Sequence, residues 1–465
     1  MTERVFRIKV GEQWVPPPDP LPGVFERTLN QFRTVLASHI TICPPLTVDQ
    51  FVSSYTGPRE VLYRRAADSL LEVGLSPRDA FIKPFVKAEK VKIFDLGTDF
   101  DPCPRVIQAR SPRFNVSVGV FLKHTEKKVL AAIDEAFGYK VCMKGLNSEG
   151  VGAALSWCWS EFVDPVAVSI DMHRMDQHVS REALMYEHSI HLLHYSGLDK
   201  QRLRSLLAMQ LVNQGVSRVD GGVVRYKVQG RRMSGDMNTS SGNIILMTAI
   251  AWEYIRQQSY KVRYVNNGDD CVFFMERANL EHFQTTIGEW FLLYGFTAVA
   301  EPAVDMIEQI DFCQTHPIWT PEGYVMCRDP RKVTVKDVTS VSLRLSSPKV
   351  FARWKHAIGS CGVASHGGLP VLGAFYECLR RNGSASAKAY DRTVKATGLY
   401  HMAKGMARHD CSVHPLTRAS FYWAFGLTPL VQEHLERRYA SVEISHSPAC
   451  DFTDHNHIDE PVYDG

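Results

Sequence analysis

Residues 262–274 read Val262-Arg263-Tyr264-Val265-Asn266-Asn267-Gly268-Asp269-Asp270-Cys271-Val272-Phe273-Phe274, two short β-rich runs around a turn signal. Asn-Asn-Gly-Asp between such runs predicts a β-hairpin, and Gly268 supplies the backbone freedom a tight turn needs. The turn carries two consecutive carboxylates, Asp269 and Asp270. Because Asn-Gly-Asp is common turn material, the hairpin gains meaning from what surrounds it. Upstream, Val166 to Ile170 predicts a buried strand ending at Asp171. An acid in that position is costly unless a cation faces it, although it can also be a plain helix N-cap. Between the two lies Ser234-Gly235-Asp236-Met237-Asn238-Thr239-Ser240-Ser241-Gly242-Asn243, a loop running into a helix. With a helix start near Thr239, Thr239 and Asn243 lie four apart on one face and can contact the same small group.

Working outward, helices are predicted from Ser180 to His194, Asn243 to Gln257 and Asn279 to Tyr294, with loop from Gly230 to Ser241. Beyond Arg328 most segments read as helical, and from Ser445 the chain reads as a loose acidic tail. The first quarter mixes turn-rich and extended patterns: a proline-rich opening from Pro16 to Pro22, then a basic stretch from Lys83 to Arg113. At 465 residues two or three subdomains are expected. Net charge is only +3, but Lys200 to Arg232 holds eight Lys or Arg and one acid, whereas the last fifteen residues hold five acids and no Lys or Arg. Such a stripe suits a channel for phosphates or a merely solvated face. Eleven cysteines without paired spacing argue for a reducing compartment rather than a disulfide framework. The most apolar stretch, Ile244 to Trp252, is too short to cross a bilayer, and no signal peptide is seen.

Strand acid, Ser-Gly helix and Asp-Asp hairpin, in that order, resemble motifs A, B and C of the RNA-dependent RNA polymerases of positive-strand RNA viruses, specifically the tombusvirus and carmovirus-like group. Asp171-Met172-His173-Arg174-Met175-Asp176-Gln177-His178-Val179-Ser180 is similar to that group's Asp-x-x-x-x-Asp-Gln-His-Val-Ser signature. Lys144-Gly145-Leu146-Asn147 resembles its fingers segment, and Pro104-Arg105-Val106-Ile107-Gln108, with Arg110 and Arg113, its motif F, preceded by Lys87-Ala88-Glu89-Lys90. Phe312-Cys313-Gln314 resembles motif E, and Ala357 to Gly362 with Gly368 to Val371 resembles its thumb. The resemblance spans roughly Phe85 to Tyr376.

It implies an α+β right hand: N-terminal segment and fingers at 1–165, palm strand at 166–180, fingers insertion at 181–230, palm at 231–327, and helical thumb with tail at 328–465. It implies nucleotidyl transfer from NTPs to the 3′ end of RNA on an RNA template, with two Mg²⁺ ions (Mn²⁺ may substitute) about 3.5–4 Å apart. Asp171 and Asp269 would bridge them and Asp270 would be a secondary ligand. Asp176, Ser234, Thr239 and Asn243 would surround the ribose; Arg105, Arg110 and Lys90 would hold the triphosphate, since Arg suits multidentate phosphate contacts. Gly235, Arg113, Phe312, Cys313 and Gln314 would meet template or primer. In many relatives a lysine after the hairpin helix is assigned as general acid for pyrophosphate. Nothing from Glu276 to Pro330 is a lysine, so no residue is carried over. In this group the polymerase is often an extension of a shorter replication protein bearing the membrane anchor. An upstream portion, or an auxiliary viral replication protein, is therefore expected to bring the chain to membrane-bound replication complexes in the host cytoplasm.

Rival readings differ at identifiable residues. A reverse transcriptase or DNA polymerase would carry a bulky block where Asp176 and Asn243 sit. A catalytically inactive, polymerase-like RNA-binding replication protein would have no need of Asp171, Asp269 and Asp270 together. A capsid or movement protein would show a long basic arm or regular sandwich strands. His409-x-Cys411-x-x-His414 fits no standard zinc module. Tyr400, Tyr422 and Trp423 could stack on a first nucleotide, but aromatics in a helical region are more often core.

Overall fold

Val166, Ala167, Val168, Ile170 and Met172 are buried in a strand that runs Pro165–Met172, in the computed structural model of the chain. A near-continuous apolar run marks a strand covered on both faces, and Asp171 is its exposed residue. The structure describes residues 2–87, 103–219, 221–340, 347–395, 397–409 and 412–446. Lys90, Cys411 and the tail from residue 447, with its acidic cluster, lie outside them.

The acid-bearing strand sits inside a four-stranded sheet in the order Ala298–Ala300, Pro165–Met172, Asp270–Glu276, Arg263–Asn267. The expected hairpin is present, its first strand Arg263–Asn267 one residue longer and its second strand Asp270–Glu276 three residues longer than the apolar runs alone suggested. Ala298–Ala300 pairs antiparallel with the acid-bearing strand, setting Val299 opposite Asp171. The α+β class holds, with helices around small antiparallel sheets.

Two compact units emerge, each discontinuous in sequence. The first comprises Met1–Cys142, Ile170–Phe273 and Ala278–Glu301; the second comprises Met143–Ser169, Phe274–Arg277 and Pro302–Gly465. At the heart of the first lies the helix Thr239–Gln257, buried on all sides from Ser241 to Ala251, as a central rather than a surface helix should be. It starts at Thr239, two residues before the predicted loop ends. The predicted helix from Ser180 is Arg181–His191, followed by a 3₁₀ turn Leu192–His194; Ser180 caps it by accepting from the Ala183 N–H at 3.0 Å.

The first quarter has extended segments in the paired strands Ile8–Val10 with Gln13–Val15 and Lys83–Val86 with Val106–Ala109, but between them it is helical, which the sequence reading did not expect. It holds helices Val24–His39, Val48–Ser53 and Pro58–Glu72. Phe25, Leu29, Phe32 and Leu36 recur at helical spacing and are buried, and Thr47 with Gln50 forms a reciprocal capping box. The prolines around Pro16 to Pro22 precede these helices and do not interrupt them.

In the second unit, the hairpin Thr315–Thr320 and Gly323–Arg328 packs on the helix Ser148–Ser160, where a Cβ at Gly152 would collide with the Tyr324 carbonyl. Helices Pro348–His366 and Leu372–Arg381 approach closely through Gly359 and Gly362, since a Cβ at Gly359 would run into the Arg380 backbone and one at Gly362 into the Tyr376 ring. The Gly-Ser-Cys-Gly stretch is therefore packing chemistry. Among the described residues no helix is long and apolar enough to cross a membrane.

Candidate active site

Inside the first unit a cavity of about 520 Å³ gathers Asp171, Asp176 and Asp269. Asp269 reaches it because its turn is pinned. Gly268 holds φ at 88°, and the buried Asn266 side chain both accepts from the Gly268 N–H at 3.0 Å and donates to the Gly268 carbonyl at 2.7 Å. Asn266 was not singled out from the sequence, although an Asn two residues before a turn glycine is a readable signal. Asp270 follows on the strand, where successive side chains point to opposite faces. It is exposed and is not among the cavity-lining residues.

The ribose candidates converge. Asn243 Nδ2 donates to Asp176 Oδ1 at 3.0 Å, and Arg232 Nε donates to Asn243 Oδ1 at 3.0 Å. Thr239 and Ser234 line the same cavity. The Thr239 hydroxyl donates to the Met233 carbonyl at 2.8 Å, while Ser234 Oγ accepts from the Gln108 N–H at 3.1 Å. Burial raises the Asp176 carboxyl above the usual range. Its bond from Asn243 and the Arg232 charge work against this, and the neighbouring Asp269 and Asp236 add to it.

Positive charge enters from three directions. Exposed Arg105 and half-buried Lys87 line the cavity beside Val106–Ala109, Arg174 lies just past the acid-bearing strand, and Arg4 comes from the helical turn Thr2–Phe6. Nothing in the sequence marked Arg4. Its segment is held on the Arg174–Gln177 loop. Arg174 pairs with the Glu3 carboxylate and donates to its carbonyl at 2.6 Å, and Gln177 Nε2 donates to the Arg7 carbonyl at 2.8 Å.

Three of the expected contact residues are engaged within the protein and do not line the cavity. The Arg110 side chain is fully buried outside the cavity lining, with Nε 2.5 Å from Asp236, Nη1 2.7 Å from the Ala80 carbonyl and Nη2 2.5 Å from Asn213. Arg113 is likewise engaged within the protein, with Asp79 at 3.0 Å, Ser69 at 2.6 Å and the carbonyls of Val73 and Gly74 at 2.5 and 2.7 Å. Gly235 does not line the cavity. It lies where backbones touch, because a Cβ there would sit 2.7 Å from Ala109 Cα and 2.8 Å from the Gln108 carbonyl. The basic stripe is corrected at its end too, since Arg232 is buried against Glu187 at 2.5 Å. In the second unit, Phe312 is buried while Cys313 and Gln314 form a tight turn at φ 54° and 60°, closed by mutual backbone bonds between Phe312 and Thr315.

Asp171 and Asp269 offer hard carboxylate oxygens. Mg²⁺ is commonly held by one or two carboxylates plus substrate phosphates, so the pair fits such an ion without a closed protein cage. Among the described residues no three His, Cys, Asp or Glu side chains form such a cage.

A sequence-family profile described as viral RNA-dependent RNA polymerase matches residues 1–447. The chain is 41% identical over 439 residues to an RNA-directed RNA polymerase of Tobacco necrosis virus (strain A), covering 94% of this chain and 60% of that protein. It is 38% identical to the RNA-directed RNA polymerase of Turnip crinkle virus, over 96% of this chain and 56% of that one. With that of Maize chlorotic mottle virus (isolate United States/Kansas/1987), identity is 37% over 95% of this chain and 45% of the relative. The chain thus spans about half the length of the curated relatives it matches. The strand acid, hairpin acid and Asp176–Asn243 pair meet in one cavity of a chain that belongs, by this profile and these identities, to the viral RNA-dependent RNA polymerase family.

Proposed function

We propose that this chain carries out template-directed RNA synthesis from NTPs, and that the cavity holding Asp171 and Asp269 together with the Asp176–Asn243 pair is where the nucleotide is joined. That convergence carries the reading, because one acid from a strand and one from a hairpin turn, beside a polar pair and a bank of cations, match the needs of phosphoryl transfer, which are positioning and charge neutralisation. Two Mg²⁺ or Mn²⁺ ions, when bound, would activate the attacking 3′-hydroxyl and stabilise the leaving pyrophosphate. Asp171 and Asp269 are the residues to hold them, with Asp270 at most an outer partner.

Arg105 and Lys87 orient the triphosphate, Arg105 through its planar fork. Asp176 and Asn243 read the 2′-hydroxyl of the incoming sugar. The right-hand division belongs to this proposal: the four-stranded sheet is the palm, the segments from residue 1 to 165 and from 181 to 230 supply the N-terminal segment and fingers, and the helices after Arg328 form the thumb. Phe312 to Gln314 carries the primer-end role that the resemblance implies, and Lys90 its triphosphate role. Recruitment to host cytoplasmic membranes through an upstream region or an auxiliary viral protein is proposed on the same footing. Co-flotation of the chain with membranes only in the presence of such a partner tests it.

The central test is incubation of purified protein with a short RNA template, four NTPs and Mg²⁺ or Mn²⁺, products being sized on a gel. Full-length complementary product is expected from wild type and none from Asp269→Ala, with the circular dichroism spectrum unchanged. RNA binding without any synthesis by the wild type would refute the enzymatic reading and leave a polymerase-like RNA-binding protein. Equal synthesis by Asp269→Ala would refute the site.

A further inference from the structure

An amide that reads a hydroxyl works only if its oxygen and nitrogen are held the right way round. Asn243 sits between two groups that decide this. On one side stands Arg232, whose guanidinium has donors and no acceptor, so the Asn243 atom 3.0 Å from its Nε must be the oxygen. On the other stands Asp176, which then receives Nδ2 at 3.0 Å. One amide hydrogen is thereby bound to Asp176 and the second is left for a ligand oxygen. Arg232 also grips Asp176 directly, its backbone N–H donating to the Asp176 carbonyl at 2.8 Å.

The grip is itself anchored. Arg232 is buried and its Nη2 lies 2.5 Å from Oε2 of the buried Glu187. Glu187 is fixed in turn by Asn238 Nδ2 at 2.6 Å and His191 Nε2 at 3.2 Å. The pair packs against the helix at Gly242, where any Cβ would collide with both the carboxylate and the guanidinium. None of these groups lines the cavity. The donor-only guanidinium forbids the flipped amide, which would set an NH₂ against the Arg232 N–H.

We infer that Arg232, locked by Glu187, is the positioning residue that sets the orientation of Asn243 and so the choice of ribose over deoxyribose. The inference rests on the reading of Asp176 and Asn243 as the sugar contact. Arg232→Lys keeps a cation for Glu187, but a single ammonium cannot span both Glu187 and Asn243 as the fork does. Its expected effect is a fall in nucleotide discrimination of about tenfold, equivalent to about 1.4 kcal/mol.

The experiment compares kcat/KM for GTP and dGTP opposite a templating C, in the full chain, for wild type, Arg232→Lys, Asn243→Ala and the double variant. Asn243→Ala should lose discrimination, Arg232→Lys should lose about tenfold, and the double variant should match Asn243→Ala because Arg232 acts through Asn243. Should Arg232→Lys not fold, Glu187→Gln with Arg232→Met takes its place. That pair removes both buried charges together and keeps an acceptor for Asn238, a change that buried ion pairs commonly tolerate.

A folded Arg232 variant with unchanged GTP/dGTP preference, beside an Asn243→Ala that has lost it, overturns the inference and leaves the proposed function standing. Losses that add in the double variant overturn it as well, because Arg232 would then act apart from Asn243. Full discrimination by Asn243→Ala removes the sugar-reading assignment, and this inference falls with it.

Discussion

Arg110 and Arg105 are five residues apart in one basic segment, yet the first is buried against Asp236 and the second is exposed in the cavity lining, and a pair of substitutions tests what that difference means. Arg110→Ala removes the cation from Asp236, whose side chain is 4% exposed, and strips a partner from Asn213. Breaking a buried pair from one side costs on the order of 3–5 kcal/mol, because the remaining charge stays buried and unmatched. A 465-residue chain unfolding cooperatively has an entropy of about 1 kcal/mol/K, so the loss lowers Tm by about 3–5 °C. Removing both partners, in Arg110→Ala with Asp236→Ala, should recover much of that, since no orphan charge is left. Arg105 is exposed and lines the cavity. Arg105→Ala should leave Tm unchanged and raise KM for GTP by about tenfold, as expected for one charge-assisted phosphate contact. The assays are thermal melting and steady-state incorporation at a temperature well below either Tm. If Arg110→Ala melts with the wild type and raises KM for GTP, the buried-brace assignment is wrong.

Other substitutions probe the surroundings. Gly235→Ala should cut kcat/KM for all four NTPs by at least about tenfold, because its Cβ meets backbone 2.7 Å away and must push the Val106–Ala109 strand aside; wild-type kinetics would show that the loop has slack. Arg4→Ala should raise KM for NTPs about fivefold with little change in RNA affinity or its salt slope, measured by fluorescence titration at two salt concentrations. Burial holds the His188 imidazole down at about 4, below its ordinary 6.5. The unfolded chain therefore takes up a proton that the folded one refuses, and stability is lost as pH falls from about 6.5 towards 4, about 3 kcal/mol for this one group. His188→Gln should flatten that part of the urea-stability profile by about one proton, and an unaltered slope would show that His188 already titrates normally in the fold.

What could be read from the sequence was chemistry carried by neighbours along the chain. The Asn-Asn-Gly-Asp turn, the apolar strand closed by Asp171 and the helix entry at Thr239 each announce themselves within about ten residues, because turn geometry, alternation and capping are local. Their order then pointed to one cavity, and Asp171, Asp176, Ser234, Thr239, Asn243 and Asp269 do line one. Arginines were misread for the opposite reason. A guanidinium's role depends on which carboxylate faces it, and the partners of Arg110 and Arg113 are Asp236, 126 residues away, and Asp79, 34 residues away. Both looked like free phosphate ligands beside Arg105, although only Arg105 lines the cavity. Arg4 was invisible for the same reason, since Arg174 and Gln177 hold its segment and the distant Cys103 carbonyl accepts from its guanidinium at the Asp171 cavity.

Arg232 shows how far that limit reaches. In sequence it ends a basic stripe and invites a phosphate; in the fold it is buried, paired with Glu187 and bonded to Asn243. A cation placed there lowers no barrier to phosphate binding, and burying it costs several kcal/mol unless Glu187 offsets the charge. Replacing such a pair by apolar side chains is often neutral for stability, so stability alone gives little reason for a chain to hold it. Fixing the Asn243 amide in one orientation, as the proposed sugar contact requires, is a task that an apolar pair cannot perform.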